Sequence, residues 1–191
     1  MQIISGTLKG RRIAFNNRRQ GNARVTSDFV KKAVFSSLGE TLTDLWFLDL
    51  FGCSGQMGLE AFSRGAQVLI NEFDHRRHFF IGNLIATWSL CDKIELYNCP
   101  AEKLLPQLAA EKRTFNIVYL DPPYHESFDD LPMAHAFLIR LSQTPILAPN
   151  ARIVVQHDLK VILPESHHTL FCIRQKKYGD SIVSTFENRP I

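Results

Sequence analysis

A chain of 191 residues, 45% hydrophobic and 21% charged, has the size and composition of one soluble globular domain with its own core. It holds no apolar run near the roughly 18 residues a membrane span needs, and the polar, basic residues that follow Met1-Gln2-Ile3-Ile4 exclude a signal peptide, so a cytoplasmic protein is expected. The net charge of +3 is unevenly placed: residues 1–32 carry eight basic side chains against Asp28 alone, a net +7, which leaves −4 for the rest. A basic arm on a mildly acidic body points to a polyanion partner, most simply nucleic acid.

In chain order, Ile3-Ile4-Ser5 and Arg12-Ile13-Ala14-Phe15 flank the glycine-bracketed stretch Gly6 to Gly10, which predicts a small hairpin. Asn16 to Asn22 reads as a mobile loop. A helix starts at Thr26 or Ser27, with Phe29, Val30, Ala33, Val34 and Leu38 as its apolar face and Gly39 as its stop. The apolar run Leu45 to Leu48, ending in Asp49, predicts a strand covered on both faces, followed by glycines at 52, 55 and 58 and a helix from Gln56 to about Arg64. Strands at Val68 to Glu72, Ile94 to Tyr97, Phe115 to Leu120 and Arg152 to Gln156 then alternate with helices at His75 to Leu90, Ala101 to Ala110 and Leu131 to Ser142. Such alternation implies right-handed βαβ units and a doubly covered α/β sheet. The chain closes differently, with strands Leu170 to Tyr178 and Ser181 to Phe186 joined at Gly179-Asp180. A mostly parallel sheet ending in an antiparallel hairpin fits the methyltransferase variant of the Rossmann-like fold better than the dehydrogenase variant.

Two stretches carry the chemistry. Glycines directly after the first strand allow close backbone approach to a ligand, and a carboxylate ending the second strand, Glu72, can accept the hydroxyls of a ribose. This pair indicates an adenosine-containing cofactor. Ser54 stands where the dinucleotide fingerprint has its second glycine, which argues against a nicotinamide. Asp121-Pro122-Pro123-Tyr124 follows the fourth strand and is expected on the same rim. The prolines remove two N–H donors, so acceptors face the crevice, where they can hold the hydrogens of a nucleobase amine, and Tyr124 offers a face for a flipped base.

With these motifs the chain resembles the RsmD-like bacterial methyltransferases, which modify guanine N2 in 16S ribosomal RNA. The resemblance runs through IISGTLKGRRI, RVTSDFVKKAVF, LDLFGCSGQMGLEAFSRGA, NEFD, Asn83-Leu84, DPPY and the closing YGDS. It implies S-adenosylmethionine as cofactor, a small N-terminal hairpin extension (1–24) on a catalytic core (25–191), and ribosomal RNA in an assembling small subunit as partner. By motif, Asp49, Phe51, Gly52, Ser54, Gly55, Glu72 and Ala101 would bind the methyl donor. Asp121, Pro122 and Tyr124 would hold and polarise the guanine, and Arg11, Arg12, Arg24, Thr26 and Lys31 would meet RNA. The chain departs from the family at three places: Cys53 replaces a usual glycine, Val25 a usual proline, and Pro100 a residue that often faces the adenine. A positive φ at position 53 would make the first of these costly.

Other features are weaker. His75 and His78 sit one helical turn apart without further ligands, so no metal is expected. The four cysteines show no CxxC spacing and are expected reduced. The fourteen phenylalanines read as core. A monomer is favoured. Because DPPY suits any exocyclic amine, an adenine-N6 DNA methyltransferase stays open, as does a non-catalytic RNA-binding assembly factor.

Overall fold

The computed structural model describes residues 1–21 and 23–189, so Asn22, part of the expected mobile loop, lies outside the described residues. The chain divides into two units, residues 1–101 and 102–191.

The first unit begins with the basic arm, followed by helices α1 (Asn17–Gln20) and α2 (Asp28–Leu38). Strands β1 (Trp46–Asp49), β2 (Gln67–Asn71) and β3 (Ile94–Tyr97) then alternate with helices α3 (Gln56–Ser63) and α4 (His75–Thr87). The strands are parallel with β2 in the middle, in a register that sets Asp49 beside Ile70 and Asn71 beside Tyr97. The strand ends where a ligand crevice is expected therefore line up. Phe47, Leu48, Leu69 and Ile70 are fully buried, as both-face coverage requires.

The expected hairpin forms: Gln2 bridges Arg12 antiparallel, the Ile3 N–H donates to the Arg11 carbonyl at 3.0 Å, and the Ile13 N–H donates to the Met1 carbonyl at 3.1 Å. The hairpin also bonds to α3. The N–H groups of Ile4 and Ser5 donate to the Glu60 carboxylate at 2.7 and 3.1 Å, and that of Leu8 donates to Ser63 Oγ at 2.9 Å. Gly6 makes this docking possible, since at its φ of +80° a Cβ would lie 1.6 Å from the Ser63 carbonyl oxygen. The stretch read as a mobile loop forms α1, because Asn16 Oδ1 caps it by accepting from Arg18 N–H at 3.0 Å.

Helix α2 starts and stops as expected: Ser27 Oγ accepts from the Val30 N–H, and the Gly39 N–H returns to the Phe35 carbonyl. Its buried face differs. Val30, Lys31, Val34 and Phe35 turn inward, while Phe29 stays 71% exposed. The inward turn is stabilised by the Lys31 amine, which donates to the Gln2 carbonyl at 2.6 Å and Gln56 Oε1 at 3.2 Å and pairs with Asp28 at 3.0 Å.

Helix α5 (Ala101–Ala110) leads into the second unit and buries Leu104, Leu105 and Leu108. It is followed by β4 (Phe115–Leu120), the short pair β5 (Ser127–Phe128) and β6 (Leu131–Pro132), helix α6 (Met133–Gln143), β7 (Leu147–Asp158), β8 (Ser166–His167), β9 (Leu170–Tyr178) and β10 (Ser181–Asn188). Strand β7 is parallel to β4, whereas β10 lies between β7 and β9 and is antiparallel to both. The parallel-then-antiparallel ending is the one the sequence predicts. Helix α6 starts later than expected because Leu131 and Pro132 pair with β5. Strand β7 starts earlier because Leu147 already faces Phe115, ahead of a register shift.

Candidate active site

In the first unit the chain after β1 wraps around Ile70. A Cβ at Gly52 or Gly58 would come within 2.6 or 2.5 Å of Ile70 side-chain carbons, so these two glycines answer a steric demand from β2. The Gly52 N–H donates to the Asn71 carbonyl and the Gly55 N–H to the Gly52 carbonyl, both at 2.7 Å, which closes the turn. Asp49, 1% exposed, accepts from the Gly58 N–H at 3.0 Å and so holds a carboxylate at the N-terminus of α3, where the helix dipole favours it.

Cys53 has φ +50°, the conformation in which a glycine would be unstrained. Its N–H donates to Glu72 Oε2 at 2.7 Å. Glu72 follows β2 as expected and is 5% exposed. Its Oε1 accepts from the Asp74 N–H at 2.8 Å and from Arg77 at 2.9 and 3.0 Å. Burial alone would lower the Arg77 pKa, but the facing Glu72 and Asp74 carboxylates outweigh it and hold the guanidinium above its ordinary value. Burial likewise opposes ionisation of Asp74, yet its bonds to Arg76 and Arg77 keep that carboxyl below the usual range.

Three residues that the sequence reading did not assign complete this cradle. Asn71, 1% exposed, donates through Nδ2 to the Leu50 and Cys99 carbonyls at 3.2 and 3.0 Å and accepts from the Cys99 N–H at 3.2 Å. It thereby ties the ends of β1, β2 and β3 together. Asn98 Nδ2 donates to the Glu72 and Phe73 carbonyls at 2.7 and 2.8 Å. Phe73 stands 63% exposed beside Glu72. The available signal was position: all three flank the ends of β2 and β3.

Of the remaining donor-site expectations, Phe51 is half-buried in the turn, Ser54 is 1% exposed with its hydroxyl on Met1 Sδ at 3.7 Å, and Ala101 is buried where α5 opens. Of the expected RNA contacts, Arg11, Arg12 and Arg24 are exposed, and Arg11 lies 5.3 Å over the Trp88 ring. Thr26, 6% exposed, lines a groove of about 590 Å3 with Met1, Phe15, Arg18 and Asp28. Lys31 does not belong to the set: its three internal oxygen partners leave it 0% exposed and out of reach of a phosphate.

In the second unit Asp121 follows β4 half-buried, Pro122 is buried, Pro123 is exposed and Tyr124 is half-buried. The Tyr124 hydroxyl accepts from Gln156 Nε2 at 3.2 Å, and Gln156 Oε1 accepts from the Tyr119 hydroxyl at 2.9 Å. Gln156 is 2% exposed, so the ring of Tyr124 is oriented from the interior of β7. Among the described residues no group of three or more His, Cys, Asp or Glu side chains is placed to hold a metal. No helix among them is long and apolar enough to cross a membrane.

The strand plan and the ligand-ready strand ends define a Rossmann-like α/β fold of the S-adenosylmethionine-dependent methyltransferase kind, and solved structures agree. One titled "Putative methyltransferase yhhF from Escherichia coli" superposes with a TM-score of 0.81 at 25% identity, covering 100% of this chain and 99% of its own. The T. thermophilus 16S rRNA N2 methyltransferase RsmC, solved with AdoMet and guanosine, shares the fold at a TM-score of 0.69 and 18% identity over 89% of this chain and 45% of its own. The model of the family described as "Conserved hypothetical protein 95" matches residues 1–187, and the chain belongs to that family, the RsmD-like one. A Bacillus subtilis (strain 168) protein named "Putative rRNA methyltransferase YlbH" is 30% identical over 190 residues, 99% of this chain and 100% of its own length. The Haemophilus influenzae protein named "Ribosomal RNA small subunit methyltransferase D" is 31% identical over 170 residues, 87% of this chain and 84% of its own.

Proposed function

We propose that the chain is an S-adenosylmethionine-dependent methyltransferase of ribosomal RNA and that its target atom is the exocyclic N2 of a guanine in the 16S RNA. Family membership and the relatives' names support the reaction class and the RNA. The observation that carries the finer reading is the Asp121-Pro122-Pro123-Tyr124 turn, whose tyrosine is held in one orientation by Gln156.

The cradle of the first unit suits the donor. A carboxylate offers about four lone-pair sites, and among the described residues Glu72 Oε2 accepts from the Cys53 N–H, so it can also take a ribose hydroxyl while Oε1 keeps Arg77. Phe73 offers an exposed ring for the adenine. Bound there, the cofactor supplies a methyl group on a sulfonium, which leaves as a neutral thioether.

In the second unit the Asp121 carboxylate and the Pro122 carbonyl accept the amine hydrogens of the base, and Tyr124 stacks on its ring. Holding those hydrogens fixes the direction of the nitrogen lone pair. Asp121 and the Pro122 carbonyl would hold the amine through the transfer, and the surplus proton would be released to solvent. Positioning and electrostatics do this work, without a covalent enzyme intermediate. We read both units as one catalytic domain, acting as a monomer in the cytoplasm on RNA within an assembling small subunit; the +7 arm supports the polyanion partner.

The test is transfer from labelled S-adenosylmethionine to naked small-subunit RNA, to unmethylated partly assembled subunits and to duplex DNA, followed by nucleoside analysis. Label in N2-methylguanosine is expected, and Asp121→Ala should lower the single-turnover rate by about 10²–10³ while donor and RNA affinity hold. Label in N6-methyladenine from DNA would move the chain to the DNA reading, and undiminished turnover in Asp121→Ala would sink the mechanism.

A further inference from the structure

Phe29 sits in the first turn of α2, where an apolar face was expected, yet it is 71% exposed. It lines a groove of about 440 Å3 between α2 and the N-terminal segment, a volume in the range of pockets that hold one small organic group. The floor is Ile3, fully buried, and Ile4, partly so. The rim carries two exposed cations, Lys9 and Lys32, neither of which has an ion-pair partner among the described residues. The one acid at the rim, Asp28, is already neutralised by Lys31 at 3.0 Å. The walls are built beforehand, because the same buried amine holds the Gln2 carbonyl at 2.6 Å and so fixes the N-terminal segment against the helix.

We propose that this groove is a second RNA contact, taking one unpaired nucleotide with its base stacked on Phe29 and the neighbouring phosphates on Lys9 and Lys32. The proposal rests on the RNA-substrate reading above. An aromatic face between two unpartnered lysines is the pairing of stacking platform and phosphate contact used by proteins that bind single strands. An apolar protein partner would instead bury both ammonium groups without counter-charges, which is costly. The surrounding 32 residues carry the net +7 that attracts a polyanion.

The test is anisotropy titration of a fluorescein-labelled single-stranded oligoribonucleotide at several salt concentrations, alongside methyl transfer to naked RNA and to partly assembled subunits. Phe29→Ala should raise Kd about fivefold or more with the salt slope unchanged, and Phe29→Tyr should restore the wild-type value. The double variant Lys9→Ala, Lys32→Ala should make the slope shallower by about 1.4, the share of two phosphate contacts to a single strand. All three side chains are exposed, so donor affinity and thermal midpoint should hold in every variant.

If wild type methylates RNA and the variants match it in Kd and transfer rate, the groove assignment falls while the function stands. If wild type neither binds nor methylates any RNA, the functional reading falls and takes the groove with it. Variants that bind the oligoribonucleotide normally yet lose transfer on assembled particles would hand the groove to a ribosomal protein and overturn the proposal.

Discussion

At the strand ends of the first unit, side chains bond to backbone. Asn71 joins three strand ends, Glu72 accepts from two loop N–H groups, Asn98 takes two carbonyls, and Glu60 and Ser63 receive the amides of the basic arm. In the second unit Gln156 links the hydroxyls of Tyr124 and Tyr119, and β7, β10 and β9 are joined by cross-strand pairing. The difference predicts different failures. Removing a side chain in the first unit strands buried backbone groups and should cost stability, whereas removing Gln156 frees one ring and should cost rate.

The largest effect should come from Asn71→Ala, which leaves backbone groups of Leu50 and Cys99 without their partner. A loss of about 3 kcal/mol is expected from urea unfolding, with weaker donor binding. Gln156→Leu should lower the methyl-transfer rate about 10- to 100-fold while donor affinity stays at the wild-type value. Stability loss without rate loss in that variant would mean that Tyr124 needs no anchor. Cys53→Gly should gain about 1 kcal/mol by relieving the positive φ, and Cys53→Ala should gain nothing.

The smallest effect concerns His157, fully buried with Nε2 2.8 Å from Ser184 Oγ. Burial holds its pKa below the ordinary 6.5. The unfolded chain therefore takes up a proton that the folded one refuses, and stability should fall as pH drops below 6.5. The slope is bounded by about 1.4 kcal/mol per pH unit, and His157→Asn should flatten it in unfolding midpoints taken at about pH 7.5 and 5.5.

Much of this was legible in the chain. The apolar runs marked β1, β2 and β4, a cap at Thr26 or Ser27 and the Gly39 stop bounded α2, and Gly179-Asp180 located the last turn, because hydrophobic period and turn chemistry are local properties. The departure at Cys53 was legible too, since the family resemblance puts a glycine at that position, which warns of positive φ, and φ there is +50°.

Other features depended on partners far along the chain. Lys31 looks like a surface cation until Gln2 and Gln56 supply oxygens to its amine, and that burial is what turns Phe29 outward. The arm reads as a small hairpin on its own, and only the fold shows Glu60 and Ser63, more than fifty residues later, accepting its amides. Gln156 carries no motif at all and gains its role only because β7 pairs beside β4. The sequence by itself determined most of the strand and helix plan, the glycine turn and the places of Glu72 and the DPPY turn after their strands, since each is written in neighbouring residues. Only the tertiary structure decided which charges are buried, which aromatic ring is exposed and which amide aims Tyr124, because desolvation and hydrogen-bond satisfaction are settled by residues distant in sequence.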